Sequence, residues 1–189
     1  MEFVLIRHSL TPGNLEKQYV GSTDQPLAPE GEALARERMP EVDGLWVSPL
    51  MRCRQTAELL FPGMEQHIVP DLQECDFGDY ECKTWEELKD EEIYRAWIGG
   101  DMTVTFPHGE SMEHFIARCR SGIQTVVQEA KALGLERPAI VAHGGTWLVV
   151  MGTFGRPERK LYDWQVKNCG GFRVSVQENP FTLKLLEEL

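Results

Sequence analysis

Two histidines and two arginines stand where the chain leaves apolar segments. Arg7 and His8 end the run FVLIRH, Arg52 follows Ser48-Pro49, and His143 ends AIVAH just before Gly144-Gly145. A carboxylate-rich stretch, ECDFGDYE at 74–81, adds Glu74, Asp76, Asp79 and Glu81. Nothing structural asks for a cation and an imidazole at the end of a hydrophobic strand, but a phosphate site does. Arginine's planar fork matches phosphate oxygens two at a time. A neutral imidazole is a competent nucleophile toward phosphorus, and a covalent intermediate splits one hard step into two easier ones. The loose transition state spreads charge over equatorial oxygens, so positioning and electrostatics supply most of the catalysis. One carboxylic acid from 74–81 would protonate the leaving oxygen, a contribution of about 10²–10⁴-fold.

These groups need elements that bring them to one rim. Residues 2–7 read as a buried strand. A Gly, Pro, Ser, Thr and Asn-rich loop is expected over 8–27, and a helix over 28–39 with Pro29 in its first turn. A strand at 44–48, a helix at 50–61 and a strand at 67–70 follow, then an irregular stretch at 71–83 and two short helices within 84–99. The longest helix spans 111–133, with Met112, Phe115, Ile116, Cys119, Ile123, Val126 and Val127 at near-helical spacing. A buried strand at 139–143 runs into a helix over 146–153, and strands near 171–177 and 181–186 close the chain. Strands alternating with helices predict a three-layer α/β/α sandwich around a mostly parallel sheet. Ligands of such sheets bind beyond the carboxyl ends of the strands, where Arg7, His8, Arg52 and His143 fall. Gly144-Gly145 at a helix start adds an anion-binding end.

The 189 residues are expected to form a single domain over 1–189, and the 42% apolar and 26% charged fractions are those of an ordinary globular chain. No apolar run approaches the length of a membrane span, and Phe3–Ile6 is too short for a signal-peptide core, so no membrane association and a cytoplasmic location are expected. Five cysteines without a CxxC pair argue for reduced thiols and against a zinc site. A net charge of −11 argues against nucleic acid as a partner, and it leaves an anionic substrate to be captured by a local cationic pocket.

The segments carrying these residues resemble the signatures of the histidine phosphatase (phosphoglycerate mutase-like) superfamily. RHSLTPGN is similar to its RHG-x-T/S-x-x-N block, SPLMRCRQTA at 48–57 to SPLxRAxQTA, and ECDFGDYE to its acid-bearing ExxFGxWE segment. GES at 109–111 and VAHGG at 141–145 match two further blocks, all in family order. The resemblance implies that His8 is the nucleophile, that Arg7, Arg52 and His143 complete the phosphate pocket, and that Glu74 is the proton donor. Asn14, Gly21 and Gly144 are the further phosphate contacts it implies. The substrate would be a small phosphomonoester, with no metal or organic cofactor.

Within the superfamily, the compact size and the ExxFGDYE form most resemble the α-ribazole-5′-phosphate phosphatases of cobalamin nucleotide-loop assembly. Broad-specificity phosphatases and phosphoglycerate mutases are the alternatives, and the short 82–108 connection favours a hydrolase over a mutase. Ser9 stands where the family usually has Gly and Leu10 where it has Glu or Gln, so crowding beside the nucleophile and a less polar rim are expected. Tyr80 and Cys82 replace the usual Trp and Gly of the acid segment. Two other classes fit the residues less well: a catalytically silent phospho-ligand binding module, and a metallohydrolase using His8, His143 and carboxylates. His67, His108 and His114 read as structural or peripheral, and Trp85, Tyr94 and Trp97 as core or lid residues.

Overall fold

In β1 (Glu2–Arg7), Phe3, Val4, Leu5 and Ile6 are all fully buried. Successive side chains of a strand point to opposite faces. Phe3 and Leu5 join one hydrophobic cluster while Val4 and Ile6 join a second, so the sheet is covered on both sides. The same division separates Trp46 from Leu45 and Val47, and Ile140 and Ala142 from Ala139 and Val141.

The computed structural model describes residues 1–36 and 41–189. After β1 come α1 (Pro12–Leu15), α2 (Pro29–Leu34), β2 (Leu45–Val47), α3 (Met51–Leu60) and β3 (His67–Ile68). The chain continues through α4 (Trp85–Leu88), α5 (Glu92–Ile98), α6 (Met112–Ala132), β4 (Ala139–Ala142) and α7 (Gly144–Phe154). It ends with β5 (Gly155–Arg156), β6 (Gly171–Glu178) and β7 (Phe181–Glu188). Single 3-10 turns lie at 70–72, 78–80 and 161–164. The described strands form one sheet in the order β3-β2-β4-β1-β6-β7-β5. The β3-β2-β4-β1 half is parallel, and β6 pairs antiparallel with both β1 and β7. Helix α3 packs through Cys53 and Ala57 on one face, whereas α6 and α7 cover the other through Phe115, Ile123, Trp147 and Val150. This is the expected α/β sandwich around a mostly parallel sheet. Among the described residues, no helix is long and apolar enough to cross a membrane.

Several boundaries differ from expectation for physical reasons. Within the expected loop 8–27, Thr11 caps α1, and Asn14 returns the bond from its side chain to the Thr11 backbone. Pro12 at the first helical position supplies the fixed φ this start needs. β3 holds only two residues, because Pro70 cannot extend the ladder and opens a 3-10 turn instead. α2 ends at Leu34 with Ala35 as its cap, and the last part of the helix expected at 28–39 falls outside the described residues. α7 begins two residues earlier than 146, at Gly144. β5 has no counterpart among the expected elements; a two-residue edge strand against β7 carries no periodic signal.

Candidate active site

The strand order sets the site. β4 lies between β2 and β1, with Arg7 opposite Ala142 and Val47 opposite Val141. The residues that leave these three carboxyl ends, Arg7-His8, Ser48 and His143, therefore meet on one rim, and the His8 and His143 ring centroids are 5.2 Å apart.

His8 is buried, and its Nδ1 lies 2.6 Å from the Ser9 carbonyl oxygen. A carbonyl can only accept, so Nδ1 carries the proton and Nε2 keeps its lone pair. Burial, aided by the nearby Arg52 and Arg7 charges, holds the imidazole well below its ordinary pKa and hence neutral. His143 is fully buried and pushed in the same direction by burial, then by Arg52. Its Nδ1 accepts from Arg52 Nε at 3.3 Å, which leaves Nε2–H to donate to Ser48 Oγ at 2.7 Å. His143 thus orients the Arg52 guanidinium.

Arg52 is itself fully buried, donating from Nη1 to the Thr23 carbonyl at 2.9 Å and from Nη2 to the Gly21 carbonyl at 2.7 Å. Glu81 builds that turn by accepting from the backbone N–H groups of Gly21, Ser22 and Thr23. Gly21 therefore has both backbone polar groups engaged, which puts it behind Arg52 rather than against an anion. Arg7 donates from Nη1 to the Val166 carbonyl at 2.8 Å, and its buried Nε meets no acceptor among the described residues. A buried donor without an acceptor is costly unless a ligand supplies one. Gly144 lets this guanidinium lie against the start of α7, since a Cβ there would come within 3.2 Å of Arg7 Cζ. Asn14 Oδ1 accepts from the Thr11 N–H and from Asn168 Nδ2, each at 3.2 Å, leaving its own amide Nδ2 to donate to an anion.

The four carboxylates of 74–81 separate cleanly. Asp76 accepts from Gly78 N and Ser22 Oγ, Asp79 pairs with exposed His108, and Glu81 holds the 21–23 turn. Glu74 alone is buried beside Arg7 and Arg52, with its oxygens accepting from Cys75 N at 3.1 Å and Gly145 N at 2.9 Å. Burial raises its pKa above the ordinary carboxyl value, against the pull of those two N–H groups and the arginines. A Cβ at Gly145 would lie 2.4 Å from Glu74 Oε1, so any side chain there would displace the carboxyl.

Several contributors are invisible in sequence patterns. Val166 acts through its carbonyl, and Asn168 reaches from the turn before β6 to the His8 carbonyl at 3.0 Å. Arg118 on α6 is gripped by Glu110 and donates to the carbonyls of Gln73 and Glu74 at 2.7 and 2.9 Å. The GES block thus holds the loop that carries Glu74. Ser9 does not crowd the turn as expected. Its Oγ donates to the Gly31 carbonyl at 2.7 Å and its N–H to Thr56 Oγ1 at 2.9 Å, tying the His8 loop to α2 and α3.

Proteins of similar sequence and fold point to one family. The chain is 29% identical to an adenosylcobalamin/alpha-ribazole phosphatase of Salmonella typhimurium, covering 98% of this chain and 96% of the relative. Among solved structures, an alpha-ribazole phosphatase from Shigella flexneri superposes with a TM-score of 0.79 at 26% identity over 98% of this chain and 96% of that one. A phosphoglycerate mutase from Thermus thermophilus gives 0.77 at 30% identity over 100% and 98%. The sequence profile of the Histidine phosphatase superfamily (branch 1) matches residues 3–189. Nearly the whole chain carries that match, with phosphatase-named relatives beside it, and this enzyme belongs to the histidine phosphatase superfamily, branch 1.

Proposed function

We propose that the protein hydrolyses small phosphomonoesters through a phosphohistidine on His8. The observation that carries this reading is the 2.6 Å contact of His8 Nδ1 with the Ser9 carbonyl, which leaves Nε2 unprotonated beside two arginines. In the first step Nε2 attacks phosphorus, the ester P–O bond breaks, and the leaving oxygen takes the Glu74 proton. In the second, the Glu74 carboxylate takes a proton from water, the hydroxide attacks phosphorus, and the P–N bond returns its electrons to His8. Arg7, Arg52 and the start of α7 offset the charge on the equatorial oxygens, with Asn14 as a further donor. The best candidate substrate is α-ribazole 5′-phosphate, supported by near full-length likeness to the Salmonella phosphatase. A broad-specificity phosphatase or a mutase is the alternative within the same chemistry.

The test is a panel of phosphomonoesters including α-ribazole 5′-phosphate, assayed with wild type and Glu74→Gln. Turnover insensitive to EDTA is expected, with the highest kcat/KM for α-ribazole 5′-phosphate. Glu74→Gln should lose about 10²–10⁴-fold on alkyl phosphates and far less on p-nitrophenyl phosphate, whose leaving group needs no proton. Equal losses on both would remove Glu74 as the acid, and EDTA inactivation restored by a divalent ion would replace the metal-free mechanism.

A further inference from the structure

Beside Glu74 the fold encloses a second space whose described lining does not include His8. Trp97 of α5, Met102, Leu148 of α7, Leu161 and Tyr162 wall a cavity of about 50 Å³, and Glu74 forms part of its lining. Among its described lining residues Glu74 is the only Asp, Glu, Lys or Arg. We propose that this cavity receives the apolar part of the leaving alcohol, and that Tyr162 is the wall that sets how large that part can be. The inference rests on the phosphatase reading with Glu74 as proton donor.

The argument is one of continuity. A leaving oxygen protonated by Glu74 must lie against that carboxyl, and the atoms bonded to it must continue past it. The space they meet is lined by aromatic, thioether and aliphatic side chains, where burying apolar surface is favourable. A second anionic group would find the Glu74 carboxyl and no cation among the lining residues, and would lose its hydration without compensation. The site therefore favours esters of apolar alcohols over doubly charged substrates.

Size points to Tyr162. A cavity of roughly 150 Å³ accommodates benzene, so the closed space of about 50 Å³ is too small for a ring. Most of its walls are core residues, but Tyr162 is 44% exposed and its hydroxyl reaches the Ile98 carbonyl through a long 3.4 Å hydrogen bond. This is the wall that can swing outward at little cost.

The test uses three esters of primary alcohols, so that leaving-group ability is matched: benzyl phosphate, glycerol 3-phosphate and 3-phosphoglycerate. With Tyr162 swung outward, wild type should turn over benzyl phosphate with a kcat/KM about 10-fold or more above the other two, in the range an apolar pocket supplies. Met102→Trp, which fills the cavity, should reduce that preference about 10-fold. Tyr162→Ala, which opens it, should raise 2-naphthylmethyl phosphate relative to benzyl phosphate by a similar factor. Inhibition by inorganic phosphate, measured in parallel, reads the phosphate pocket alone. Equal turnover of the three esters, or unchanged ratios in both variants, would overturn the cavity assignment while leaving the phosphatase reading intact. Absence of turnover on every ester in folded wild type would overturn the phosphatase reading, and this inference with it.

Discussion

His8 and His143 are neutral imidazoles packed among arginines, and that state has a consequence for stability. In the unfolded chain both take up protons as pH falls through about 6.5. In the fold, burial and then the Arg52 charge hold both well below that value. Below pH 6.5 the unfolded state binds more protons, so stability drops by up to about 1.4 kcal/mol per pH unit for each imidazole, until the folded-state values are reached. Glu74, shifted upward by burial, acts with the opposite sign above its unfolded value, so the histidine contribution is best read by difference. Denaturant unfolding of wild type and His143→Gln at pH 7.0 and 5.5 should show a larger acid loss in wild type, and equal losses would contradict neutral burial of His143. At this scale the sequence was highly legible. Arg7, His8, Arg52, Glu74 and His143 all converge, because Arg7, His8 and His143 sit at strand ends, Arg52 lies in the first turn of α3 and Glu74 lies against Gly145, each within a segment that a motif marks. Gly21 reads less well, since a motif names a residue but not whether its N–H is already taken by Glu81.

Between elements, the connection that matters runs from α6 to the 71–74 loop. Arg118 commits its donors to Glu110 and to the carbonyls of Asp71, Gln73 and Glu74, so one guanidinium fixes the backbone from which the proposed proton donor projects. It touches no reacting atom in the proposed mechanism and is a positioning residue. A displacement of about 1 Å at a reacting group can cost 10²-fold. Arg118→Met should therefore lower kcat on benzyl phosphate by roughly 10- to 10²-fold, with little change in KM or in p-nitrophenyl phosphate turnover. Arg118→Lys should restore part of the loss. A parallel drop on both substrates would mean that Arg118 supports the fold generally rather than the acid. No periodicity reveals this contact, because Arg118 reads as one more charge on an amphipathic helix and its partners are main-chain carbonyls. Likewise the capping box of α1 hides within what looks like a loop, and Ser9 looks obstructive until α2 presents the Gly31 carbonyl to it.

For the molecule as a whole, a chain of net charge −11 concentrates two arginines at the junction of three parallel strands. Long-range electrostatics repel an anionic ester, so in the proposed reaction capture falls to the local field of Arg7, Arg52 and the α7 terminus. The sandwich was legible from the apolar runs at 3–6, 45–47 and 139–142, each too continuous for a sheet exposed on one face. The strand order was not, because pairing partners are chosen by helix crossovers rather than by strand composition. It is that order, with β4 between β2 and β1, that puts His143 beside His8.

The central claim is that His8 Nε2 takes the phosphoryl group. Rapid quench of wild type during turnover of a ³²P-labelled phosphomonoester, with denaturation in base to preserve an acid-labile adduct, tests it directly. The account predicts base-stable label on the peptide containing His8 at times shorter than one turnover, and neither label nor turnover in His8→Ala. Turnover without label on His8, or activity that survives His8→Ala, would contradict it.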